Sequence, residues 1–127
     1  MARTHGDRQS FRVELAKRSW WPMTDKIVVL LTCGSRRQAR KIGRALVEAE
    51  LVACVNLLGG PIESIYRWKG RVESAKEFLI ILKTRRRHFR AMEREVRRLH
   101  SYEVPEIIAL PIERGSPDYL RWLSQSV

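Results

Sequence analysis

The sequence predicts an α+β sandwich: two helices on one face of a four-stranded antiparallel sheet, with a further helix at the C-terminus. Three observations carry that prediction. Runs with strand character and two amphipathic helical stripes alternate in the order β-α-β-β-α-β. The two stripes share the same spacing of 3, 4 and 3 residues, as in two matched βαβ halves. A Lys69-Gly70 turn joins the middle strands into one long hairpin. Two helices laid on one side of such a sheet is the ferredoxin-like arrangement.

The elements follow in order. Ile27 to Leu31 is an unbroken apolar run rich in β-branched residues, so it reads as a strand buried on both faces. Ser35-x-x-Gln38 is a capping box that opens a helix, and Ala39, Ile42, Leu46 and Ala49 form its apolar stripe. Arg36, Arg37, Arg40, Lys41 and Arg44 occupy its other faces. Leu51 to Leu58 returns to strand character until Gly59-Gly60-Pro61, where proline cannot serve a central ladder. Ile62 to Trp68 resumes as strand, with Tyr66 and Trp68 on one face.

Val72 to Thr84 is a single long strand. Its 13 residues, at about 3.3 Å each, span roughly 40 Å, more than a compact four-stranded sheet needs. The hairpin end is therefore expected to overhang, exposing Tyr66 and Trp68 as anchors for another subunit. Phe89, Met92, Val96 and Leu99 stripe the second helix. Ile107 to Ile112 reads as a last central strand. Ser116-Pro117-Asp118 opens the terminal helix with an N-cap, a proline at its first position and an acid that suits the dipole. Tyr119, Leu120, Trp122 and Leu123 give that helix an apolar side to dock.

The 127 residues suit one domain, and their net charge is +11. Residues 1–22 hold five basic and two acidic residues and read as a flexible basic extension, with residues 23–127 as the folded domain. Met23 also suits a natural start just before the first strand. Residues 83–98 carry eight basic residues against two acidic ones. Residues 85–98 therefore offer nonspecific polyanion contact. The aromatic of that segment, Phe89, lies on the apolar stripe, so base stacking and a specific nucleic-acid partner are not expected. No run approaches the roughly 18 apolar residues of a membrane span. Cys33 and Cys54 lack the spacing and number of a zinc site and read as reduced thiols, Cys54 as a small core residue. The cytoplasm follows by elimination. No GxSxG, HExxH or phosphate-cradling glycine loop is present, so catalysis is not expected.

The densest chemistry lies in His100-Ser101-Tyr102-Glu103-Val104-Pro105-Glu106-Ile107, at the mouth of the last strand. Residues 26–125 resemble the CutA family, the divalent-cation tolerance proteins. The resemblance rests on this segment together with Ala53-Cys54-Val55-Asn56, Ser64-Ile65-Tyr66-Arg67-Trp68-Lys69-Gly70, Ile81-Leu82-Lys83-Thr84, Leu110-Pro111-Ile112 and Gly115-Ser116-Pro117 with Tyr119-Leu120-x-Trp122-Leu123. It implies a ferredoxin-like protomer, a homotrimer joined through its long strands, and binding of copper or another divalent cation in response to metal.

A metal site of that kind would use His100, an oxygen from Glu106 or Glu103, and the soft sulfur of Cys33. The competing reading makes His100 a structural cap of the second helix. Tyr66, Trp68, Lys83, Tyr102 and Glu103 are expected at a ligand pocket or the trimer interface. The trimer's likeness to PII-type signalling proteins sets the alternative: a small-molecule sensor or scaffold with incidental metal binding. Two departures stand out. Ser101 replaces a usual proline, and Gly34-Ser35-Arg36-Arg37 stands where many members have an acidic turn.

Overall fold

A computed structural model describes residues 24–127. The basic extension over residues 1–22, and Met23, lie outside the described residues. The elements are β1 (Lys26–Cys33), α1 (Arg36–Glu48), β2 (Cys54–Leu57), β3 (Ile62–Trp68), β4 (Arg71–Arg85), α2 (Phe89–Leu99), β5 (Ile107–Pro111) and α3 (Pro117–Ser126). A 3₁₀ turn over Arg86–His88 leads into α2. The sheet runs β2-β4-β1-β5, with β3 also pairing β4, and every pairing is antiparallel. This is the α+β, ferredoxin-like order.

The core lies between the sheet and the two helices. Val29, Leu31, Ile80 and Leu82 from the sheet meet Ile42 and Leu46 of α1 and Met92 and Val96 of α2, all fully buried. Both helical stripes thus face the sheet as their periodicity requires. The α1 cap forms as the sequence indicates, with Ser35 Oγ accepting from the Gln38 amide at 3.1 Å. The reciprocal half is diverted: Gln38 Oε1 instead accepts from Ser101 Oγ at 3.3 Å. Ser116 caps α3 in the same way, through the Tyr119 amide. Only Leu123 of α3 is buried, while Tyr119 and Trp122 stay exposed.

Three expectations change. The strand expected over Leu51–Leu58 shrinks to Cys54–Leu57. Glu50 takes a left-handed φ of 57°, and the Leu51 and Val52 amides turn back to the Leu46 carbonyl, so the helix end consumes those residues. β5 is an edge strand rather than a central one. Pro111, which has no amide to give, fits an edge, and Ile108 and Leu110 are exposed there. β1 alternates buried and half-buried positions instead of being sealed on both faces.

β4 is the longest element, at 15 residues. Phe78–Arg85 pairs with β1 on one side, and Ile80–Lys83 pairs with β2 on the other. Arg71–Glu77 pairs with β3 alone, so the edge that β1 would continue along is open. The hairpin closes with two left-handed residues, Lys69 at φ 50° and Gly70 at φ 78°, as a tight two-residue turn that follows strand twist requires.

Candidate functional site

A cleft of about 670 Å³ opens in the corner where β1 stops and β4 continues. One wall is the hairpin, with Ser64, Ile65, Tyr66, Trp68 and Glu77; the other is the loop after α2, with Ser101, Tyr102, Glu103, Val104 and Glu106; Thr32, one residue before the end of β1, lies at its base. Three carboxylates line it and, among the described residues, no lysine, arginine or histidine does. In a chain of net charge +11 that is a concentrated patch of the opposite sign.

His100 builds this corner but does not line it. It is buried, and its backbone amide bonds to the Val96 carbonyl as the C-cap of α2. The Tyr102 amide donates to Nδ1 at 3.0 Å. The ring proton therefore sits on Nε2, which is 2.7 Å from the Thr32 carbonyl and donates to it. The ring also packs on Tyr102, with centroids 4.6 Å apart. Both nitrogens are committed, so the loop is tied to the end of β1 and no lone pair is left for a metal.

The remaining expected ligands do not gather round it. Among the described residues, no group of three or more His, Cys, Asp or Glu side chains is placed to hold a metal ion. Cys33 is wholly buried, and burial, followed by the charge of Glu77, pushes its thiol up to about 11. A protonated thiol inside the core is a poor ligand. The expected set of His100, Glu106 and Cys33 is thus not assembled: one member is hydrogen-bonded on both sides, one is sealed in, and only Glu106 faces the cleft.

Of the expected pocket residues, Tyr66, Trp68, Tyr102 and Glu103 come together in the cleft. Lys83 does not. It lies deep in the sheet opposite Val28 and Cys54, and its ammonium bonds to the Asn56 side chain. Cys54 is only half-buried, with its sulfur 3.8 Å from the Asn56 oxygen. Glu77 was not singled out by sequence reasoning, yet it is a buried carboxylate at the cleft wall. Its signal was weak: one acid at the head of the apolar run Phe78 to Leu82. Tyr102 packs over Gly34, where a Cβ would stand 3.1 Å from the phenol oxygen. Burial, then the charge and acceptor oxygen of Glu77, push the Tyr102 hydroxyl up to about 12, so it remains a hydrogen-bond donor beside the carboxylate.

The family profile described as CutA1 divalent ion tolerance protein matches residues 27–126. The chain belongs to the CutA family. It is 48% identical over 99 residues to the divalent-cation tolerance protein CutA of Thermus thermophilus, covering 78% of this chain and 95% of that protein. It is 47% identical over 95 residues to protein CutA of Mus musculus, where the match covers 75% of this chain but only 53% of the mouse protein. The chain therefore spans about half the length of its mammalian relative. Among solved structures, the Thermus thermophilus protein superposes with a TM-score of 0.75 at 47% identity, covering 77% of this chain and 94% of that one. The CutA of Archaeoglobus fulgidus, titled a periplasmic divalent cation tolerance protein, gives 0.76 at 40% identity, covering 80% and 97%.

Proposed function

We propose that this CutA protein is a non-catalytic homotrimer that binds divalent cations in the carboxylate cleft. The observation that carries the reading is the lining itself: Glu77, Glu103 and Glu106 with hydroxyls of Thr32, Ser64, Ser101 and Tyr102, and no basic group among the described residues. Oxygen donors suit borderline and hard divalent ions, and Cu(II) stands highest among the first-row divalent metals at such ligands. Cu(I), which needs soft sulfur, has no support from the buried Cys33. The described residues of one chain do not converge three ligands on a point. A neighbouring protomer docking on the open edge of Arg71–Glu77 would narrow the same corner and bring further oxygens to it. Such docking would also cover Ile65 and Val72, which are 69% and 67% exposed. Two unpaired cysteines are consistent with the cytoplasm.

Calorimetry with Mn(II), Zn(II) and Cu(II) tests the site. Replacing Glu103 and Glu106 together by Gln is expected to weaken binding about tenfold or more, and His100→Gln less than about threefold. The reverse ranking would return His100 to the ligand set and sink the cleft. Sedimentation at micromolar concentration tests the assembly, and a monomer would end that half of the proposal. Ile65, Tyr66 and Trp68 in the lining favour a second reading, a small organic ligand as in PII-type sensors. Thermal shifts from a metabolite panel that survive chelation would support it.

A further inference from the structure

A second cleft, of about 570 Å³, lies between α1 and the edge strand β2, and it shares no lining residue with the carboxylate cleft. One wall carries Arg36, Arg40 and Arg44, with Glu48 as the one acid at its far end, and the floor is Val55 and Leu57. We propose that this cleft binds a small organic anion of the diphosphate class, with its phosphates on the arginine row and an apolar body on the floor. The proposal stands apart from cation binding.

The helix sets the row. Residues four apart stand on one face, each about 6 Å further along the axis. A single phosphate meets one or two of three such guanidinia, whereas linked phosphates reach across the row. Guanidinium is suited to this because its planar fork binds phosphate oxygens in pairs.

The floor depends on Gly43. It is buried, and a Cβ at that position would stand 2.9 Å from Val55 Cγ1. Without one, α1 settles onto β2 while its neighbours on either side, Arg40 and Arg44, project beside half-buried Val55 and Leu57. Arg36 is fixed across the cleft by donating from Nη1 to the Gly59 carbonyl at 3.2 Å. Among the described residues, no carboxylate pairs with Arg36 or Arg40; Arg44 meets Glu48 only at 4.0 Å, with both side chains exposed. A solvated helix face is normally neutralised by acids one turn away; in this row only Arg44 has one, Glu48, and that contact is long and exposed. On the basic face of α2, by contrast, Arg98 is already held by Glu95 at 2.5 Å.

The test is calorimetry of the full chain with inorganic pyrophosphate and with isopentenyl diphosphate. Wild type is expected to bind both, the organic ester about threefold tighter because it covers the floor. Arg40→Gln should weaken both about tenfold, and Arg40→Lys about threefold, since lysine keeps the charge but loses the fork. The α2 control, Arg90→Gln with Arg94→Gln, should change either by less than about twofold. These arginines are exposed, so circular dichroism is expected to match wild type throughout. No binding up to about 10 mM overturns the proposal. So does an equal loss from the α2 control, or full retention by Arg40→Lys, because both would mean diffuse charge. Equal affinity for the two probes removes the apolar body.

Discussion

The two halves of β4 belong to one strand and live in different surroundings. Phe78–Arg85 is sandwiched between β1 and β2, under both helices, and Ile80, Leu82 and Thr84 are completely buried. Arg71–Glu77 has β3 on one side and, among the described residues, no strand on the other, and Val72 and its neighbour Ile65 stand in solvent. A strand that runs on past its own core, with apolar side chains on the projecting part, is stabilised only when something else covers it. The difference teaches that the proximal half makes the fold, while the distal half makes one wall of the cleft and the surface on which the proposed assembly would dock.

The sharpest way to break this division is to damage each half separately. Leu82→Ala in the proximal half is expected to cost about 3 kcal/mol in urea unfolding, because it empties a sealed position. Ile65→Asp with Val72→Asp should leave far-UV circular dichroism unchanged and shift sedimentation from trimer to monomer. A double variant that stays trimeric would place the assembly surface elsewhere.

The junction between the halves is held by His100. Replacing it with Ala leaves the Thr32 carbonyl and the Tyr102 amide without partners, at an expected cost of about 2 kcal/mol. The same change should speed hydrogen exchange at the Tyr102 amide. An unaltered exchange rate would mean that the loop is held by its other contacts.

The smallest effect lies at the proximal end, where Asp25 meets Lys26 and Arg85, each at 2.6 Å. Burial alone would raise its carboxyl, but the hydrogen bonds and charges of Lys26 and Arg85 outweigh it and hold the pKa down to about 2. A lowered carboxylate stabilises the fold above the unfolded value, near 3.8, and that contribution fades as pH falls towards 2. Asp25 is 42% exposed, so solvent screening keeps the contribution under about 1 kcal/mol. Asp25→Asn should lower the urea midpoint at pH 5 and match wild type near pH 2.

Much of the fold was legible. Period placed both core helices, with a cap marking the start of α1, since an apolar stripe buries the same way whatever sheet receives it. The overlong hairpin and its Lys69-Gly70 turn were legible too, because length and turn chemistry are local. The shortening of β2 was not: Glu50 gives no warning that it will turn left-handed and carry Leu51 and Val52 back onto the helix end. Of the expected sites, Tyr66, Trp68, Tyr102, Glu103 and Glu106 do line one cleft. His100 and Cys33 were named for their chemistry, which is the same in a ligand as in a buried tether or a core thiol.

By itself, then, the amino-acid order determined the run of strands and helices, their caps, and a hairpin too long for its own sheet. These follow from periodicity, propensity and reach along a single chain. Only the folded molecule decided that β5 is an edge, that both nitrogens of His100 are taken, and that three acids share one corner. Thr32, Tyr66, Trp68, Glu77, Tyr102 and Glu106 are far apart along the chain, and they become neighbours only once β1 stops short of β4 and the loop after α2 closes over the gap.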